Sequence, residues 1–250
     1  GTYIVNNSTN AVNIGNGGYG FILETGSALD NHGELSLNGK GTGVYSDGAN
    51  IVNNHTGADI NMAGDNNIGI YMVSGGTINN DANINGTSGK SNIGIYNKNG
   101  TINNTGTINV AGEKNTGIYV VDKIGTTTGT TTTQGAVTSK GDIELSGGNQ
   151  NTAIFASGST KPTGATYTVE VEDVKSTGTV NSTAIYAAAG ATVNLTGGTS
   201  GSTTGSGLTV TGATVSGATT TNGINAGAVY ATGANTTVNI NRTTIPTTET

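Results

Sequence analysis

The sequence has no cysteine, no tryptophan, two prolines, two phenylalanines and a single arginine, Arg242. The absence of cysteine excludes a disulfide framework and any thiolate metal centre. Charge is scarce as well, at 10% of residues, and nine basic against fifteen acidic side chains leave a net charge of −6. A phosphate-binding surface rests on clustered Lys and Arg, so nucleic acid is excluded as a partner. No apolar run approaches the length of a membrane-spanning helix. The opening residues Gly1-Thr2-Tyr3 carry neither the basic nor the apolar stretch of a secretory leader. Because the repeat described next is already running there, the expectation is a piece of a longer chain.

What fills the sequence is Gly, 43 of 250 residues, together with Thr and Asn. Thr and Asn side chains compete for backbone hydrogen bonds in helix interiors and favour strands or turns, so a helical protein is excluded. Regularly placed Ile, Val and Tyr separate the chain from a disordered polar polymer.

A tripeptide of one small and two apolar residues anchors an internal repeat. It reads Gly20-Phe21-Ile22, Gly43-Val44-Tyr45, Gly69-Ile70-Tyr71, Gly94-Ile95-Tyr96, Gly117-Ile118-Tyr119, Ala153-Ile154-Phe155, Ala184-Ile185-Tyr186 and Ala228-Val229-Tyr230, at spacings of 23, 26, 25, 23, 36, 31 and 44. Between anchors come a segment ending in Asn, such as Ile51-Val52-Asn53-Asn54 or Thr77-Ile78-Asn79-Asn80, and a short alternating one, such as Ile60-Asn61-Met62 or Ile108-Asn109-Val110. Each period of about 25 residues therefore holds three short strands separated by Gly and Asn turns.

Strands of four or five residues cannot bury an apolar face alone. Stacking each strand on its equivalent one period away, at about 4.8 Å, makes continuous ladders of like residues. The expected architecture is all-β: a right-handed parallel β-helix of three-strand coils, on the order of nine of them and about 40 Å long. No hexapeptide repeat marks the left-handed alternative. Residues 1–121 form regular coils. Residues 122–250 continue the same solenoid with insertions at 122–141, 157–179 and 197–223, where Tyr167 to Val171 reads as an extra strand or hairpin arm and Leu208-Thr209-Val210 as a weak strand. One question stays open in the anchor: strict alternation places Tyr71 and Ile70 on opposite faces, yet both slots are always apolar.

Residues one period apart become neighbours, so columns replace linear motifs. Asn7, Asn31, Asn54, Asn80 and Asn104 form a structural amide column at a corner, and Tyr45, Tyr71, Tyr96 and Tyr119 an aromatic one. His32 and His55 share the slot after that Asn and are expected to stack; with Asp81 and Thr105 following them, no metal site is expected. Lys40, Lys90 and Lys114 precede the anchor glycine and, with Lys161 and Tyr167 on an insertion, are the candidate binding residues, the lysines suited to an anionic glycan. Glu34 and Asp59 are the best candidates for paired glycosidase carboxylates. Their column continues as Asn83 and Thr107 with no arginine nearby, so no catalytic residue is assigned. No cofactor motif is present.

Asn115 to Val120 (Asn-Thr-Gly-Ile-Tyr-Val), with Gly76-Thr77-Ile78-Asn79-Asn80 and Gly106-Thr107-Ile108-Asn109-Val110, resembles the degenerate coils of type V autotransporter passengers, most of all the large outer-membrane adhesins of fusobacteria. The resemblance implies a β-helix on a Gram-negative cell surface, anchored through a C-terminal barrel that this sequence lacks. It also implies binding to host-cell glycans, host receptors or other bacteria. The Gly-Asp-Ser-Gly motif of the serine-protease members is missing, which fits the non-enzymatic branch. A spacer holding a distal binding domain away from the membrane is the alternative, and a carbohydrate-active β-helix enzyme the third.

Overall fold

The computed structural model describes residues 1–122, 137–158, 168–171, 174–177, 181–195, 208–211, 228–234, 236–240 and 243–244. Every regular element among them is a strand. The first coil contributes Tyr3–Asn6, Val12–Ile14 and Tyr19–Leu23, and each of these lies beside its equivalent in the next coil: Ala28–Asn31, Leu35–Leu37 and Thr42–Ser46. The pattern repeats to give two nine-stranded sheets and one eight-stranded sheet, each with strands in chain order at every third position. The molecule is a right-handed parallel β-helix with three strands per coil. Among the described residues no helix is long and apolar enough to cross a membrane.

Register is set by which residues must be inside. Ile78 lies between Val52 and Ile102 on the first sheet, and Ile84 between Ile60 and Ile108 on the second. Ile95 lies between Ile70 and Ile118 on the third, and all nine are buried. A slip of one residue would carry Asn79 or Asn85 into the core, so the alternation itself fixes the pairing.

The anchor tripeptide resolves in favour of an outer aromatic row. Val44, Ile70, Ile95, Ile118 and Ile154 point inward, whereas Tyr45, Tyr71, Tyr96, Tyr119 and Phe155 are half-buried on the outside. The small residue before them is passed over in the pairing, which runs from Ile68↔Ile93 to Ile70↔Ile95. A Cβ on Gly69 would stand 2.6 Å from the Gly94 carbonyl oxygen and 3.4 Å from Ile60 Cγ2, so this slot also faces the interior. Glycine lets successive coils close on one another there. Ala153 and Ala184, both fully buried, fill the slot in later coils.

One rung of the core is underfilled. Gly86 occupies the inward position held by Val110 in the following coil, and the Met62 side chain reaches toward the space its missing side chain leaves. An added Cβ would meet only Met62 Cε at 3.3 Å and the Asn109 carbonyl oxygen at 3.8 Å. A thioether end gives way easily. Gly86→Ala is expected to stabilise the protein by about 0.5 kcal/mol, through a less free unfolded chain, once the Met62 end has shifted. A rise in the urea midpoint at constant slope checks this.

Three expectations are corrected by the strands. The amide column begins at Asn6, not Asn7: Asn6 pairs with Asn31 and is buried, while Asn7 is exposed. The sequence offers two asparagines in a row, and the first coil turns one residue earlier than the second asparagine would require. Next, Val137–Ser139, inside the span 122–141, is a regular first-sheet strand on Thr101–Asn104. Within 157–179, Thr168–Val171 and Val174–Thr177 are ordinary first- and second-sheet strands, so of the two expectations there the strand holds and the hairpin arm does not; the weak strand expected around Leu208 is present as the second-sheet strand Leu208–Thr211. Sparse apolar residues in Thr-rich sequence concealed the rungs Val137–Ser139 and Val174–Thr177. The longer stretches between them, residues 123–136, 159–167, 196–207 and 212–227, lie outside the described residues, and with them Lys161 and Tyr167.

Candidate binding surfaces

The third sheet carries the aromatic row. Tyr19, Tyr45, Tyr71, Tyr96, Tyr119, Phe155, Tyr186 and Tyr230 follow one another at centroid separations of 4.3 to 5.8 Å. The pairs from Tyr19 to Tyr96 cross at 71° to 82°, and from Tyr96 onward the rings lie within 29° of parallel. Such contacts add to what burial alone contributes. With ring faces covered by neighbours, the stacked part presents edges and hydroxyls to solvent. Desolvation raises the Tyr45 and Tyr96 pKa above the ordinary 10.0, so both hydroxyls are donors across the neutral range.

The first and second sheets present strings of amides instead. On the first, Asn103 Nδ2 donates to Asn79 Oδ1, Asn79 Nδ2 to Asn53 Oδ1, and Asn53 Nδ2 to Asp30 Oδ1, at 2.7 to 2.8 Å. On the second, Asn109 donates to Asn85, Asn85 to Asn61, and Asn61 to Glu34 Oε1. Both strings run the same way and both end on a carboxylate. A carboxylate accepts without needing to donate, which suits it to the receiving end.

Glu34 and Asp59 both accept hydrogen bonds from the following coil. Glu34 Oε1 accepts from Ser36 and Asn61, and Asp59 from the Asn83 backbone and amide. The structure therefore gives both carboxylates partners within the coil stack.

Two further amide columns are buried at the corners. In one, Asn6, Asn31, Asn54, Asn80 and Asn104 hand on hydrogen bonds of 2.6 to 2.8 Å, and Asn104 donates to Ser139 Oγ. In the other, the backbone N–H groups of Asn67, Asn92 and Asn115 donate to the side chains of Asn92, Asn115 and Asn151 one coil on. This second column was legible in the sequence as the Asn two residues before the anchors Gly69, Gly94, Gly117 and Ala153.

Two lysines of the basic edge share one carboxylate. Lys90 Nζ stands 2.8 Å from Glu113 Oε2, and Lys114 Nζ 3.5 Å from Glu113 Oε1. The backbone of Lys90 pairs with Glu113, so Lys114 stands one position later, in a left-handed slot shared with Asn66 and Ser91. Lys40 lines a shallow depression with Tyr19, Thr42 and Ile68. The lysines thus do not form one column.

His32 and His55 do stack, with centroids 4.1 Å apart and planes within 1°. The sequence reading missed the third member of this corner. Asp30, two residues before His32, faces outward and has Oδ1 3.6 Å from His55 Nε2. The Tyr3 hydroxyl, then the Asn53 amide, then His55 hold the Asp30 carboxyl below its ordinary 3.8. A depressed folded-state pKa adds stability above the unfolded value, and that stability is lost as pH falls through the folded one. Against Asp30→Asn, the wild-type advantage in thermal midpoint is expected to fade below about pH 4. A constant gap down to about pH 2 would refute this coupling.

Comparison of the chain with protein-family models, with curated proteins and with solved structures yields no match.

Proposed function

We propose that this chain is a rod segment of a bacterial surface adhesin of the self-transporting autotransporter class. In this reading its side wall recognises a host-cell glycan or protein receptor, or a partner bacterium, and performs no chemistry. The reading is supported above all by the row of outward aromatic rings on the third sheet. Rings and hydroxyls repeated at one coil spacing suit a polymer that is itself repetitive and rich in hydroxyls. Glu113 engages both Lys90 and Lys114, so the edge offers a single uncompensated charge there and the ring row carries the recognition. Display on the outer membrane, through a barrel outside these 250 residues, belongs to the same proposal.

The test is binding of the purified segment to a glycan array and to host cells. Tyr71→Ala with Tyr96→Ala is expected to reduce binding by about tenfold or more, since aromatic residues dominate such surfaces. Wild-type binding by the double variant would overturn the role of the ring row.

Uninterrupted stacking through nine first-sheet strands also suits the spacer reading. Deleting residues 123–136 or 159–167, which removes no described strand, separates the two. Unchanged binding through both deletions, together with unchanged binding by the tyrosine variant, leaves the spacer.

A further inference from the structure

The corner formed by Asp30, His32 and His55 joins two consecutive coils, and the adhesin reading leaves it without a task. Asp30 and His32 come from one coil and His55 from the next, and one ligating atom of each lies within 4.8 Å of the others. His55 Nε2 is excluded from solvent and has no hydrogen-bond partner, and its nearest anion is Asp30 Oδ1 at 3.6 Å. A solvent-excluded ring nitrogen without a bond is costly unless something else occupies its lone pair. Asp30 is already oriented by neighbours: the Tyr3 hydroxyl donates to Oδ2 and Asn53 Nδ2 to Oδ1 at 2.7 Å. Carboxylate ligands in metal centres are held by outer hydrogen bonds of this kind.

We propose that Asp30, His32 and His55 form a surface site for a divalent first-row transition metal ion of the zinc or copper type, clipping the second coil to the third. Two imidazoles and a carboxylate select such ions over calcium or magnesium, which prefer oxygen alone. Three protein ligands leave a position for water or for a group from a bound partner. Parallel rings 4.1 Å apart have parallel lone pairs, which cannot meet at one ion. Binding therefore turns at least one imidazole about its Cβ–Cγ bond and breaks the stack. His32 is exposed and free to make that turn.

The probes are Zn2+ for calorimetry and Cu2+ for electron paramagnetic resonance, on the full 250-residue chain. One Zn2+ per chain is expected, weakened about tenfold or more by each of His32→Gln, His55→Gln and Asp30→Asn. Cu2+ should show coupling to two nitrogens. Imidazole resonances of both histidines in the unaltered protein should shift on adding Zn2+, a readout that needs no variant. Absence of binding at millimolar Zn2+, or wild-type affinity in the double histidine variant, overturns the site. So do histidine resonances that stay in place while Zn2+ binds. Glycan binding is read separately, so failure of the metal site and failure of the adhesin reading are distinguishable.

Discussion

Asn80→Ala is expected to destabilise the protein by about 3 kcal/mol or more, well beyond an ordinary polar truncation. Asn80 is fully buried, donates to Asn104 Oδ1 at 2.7 Å and to the Ala82 carbonyl at 2.8 Å, and accepts from Asn54 Nδ2 at 2.8 Å. Alanine strands all three partners at once in a corner closed to water. Each buried orphan costs about 1 to 3 kcal/mol, and water cannot enter without displacing the stack. The paired control is Asn103→Ala in the exposed string, where Asn103 donates to Asn79 and solvent can replace the lost bond. That change is expected to stay within about 0.5 kcal/mol. Urea unfolding of the two variants checks both, and similar midpoints would contradict the distinction between inner and outer amides.

The second large effect is at the anchor. Ile95→Ala removes a fully buried side chain held between Ile70 and Ile118, for an expected loss of about 2 to 5 kcal/mol. Because a coil touches chiefly its two neighbours, the defect is local in space while sitting near the middle of the rod. The expected denaturation curve broadens or splits, since the coils on either side lose part of their coupling. A sharp single transition at the wild-type midpoint would show that the rung is not carried by this side chain. Tyr96→Ala, one residue along but on the outer face, is expected to cost less because its ring is only half-buried.

The coil architecture was legible because period and alternation coincide: Ile70, Ile95 and Ile118 announce a rung, and Asn54, Asn80 and Asn104 announce a corner. The orientation of the anchor was not, because Gly69 and Ile70 both face inward and break the two-residue alternation that a strand normally obeys. The same break explains why Tyr71 could be apolar and still point outward. Rungs in the later part, such as Val137–Ser139 and Val174–Thr177, offered one or two apolar residues among Thr and Ser, too few to mark a period. The stacking of His32 on His55 followed from shared slot position alone. Asp30 escaped notice because a residue two places before His32 meets His55 only through the fall of one coil onto another. The left-handed slot of Asn66, Ser91, Lys114 and Gln150 was equally silent, since only Asn among these ordinarily marks such a turn.

The outward amide strings give the rod a grammar of order that its look-alike coils conceal. Each amide from Asn103 and Asn109 back to Asn53 and Asn61 passes its proton toward the N-terminal end, so a group that can only receive fits as the first word. Further along the rod a carboxylate in the same slot stands beside a donor, as Glu144 does beside Lys175. The coil bearing Asp30 and Glu34 is for that reason not exchangeable with the coils bearing Asn53 and Asn61 or Asn79 and Asn85, despite near-identical backbone. Transplanting it to mid-rod would leave the preceding amide facing a second acceptor with no donor between them, so shuffled coils of this protein should assemble in one sequence far better than in others.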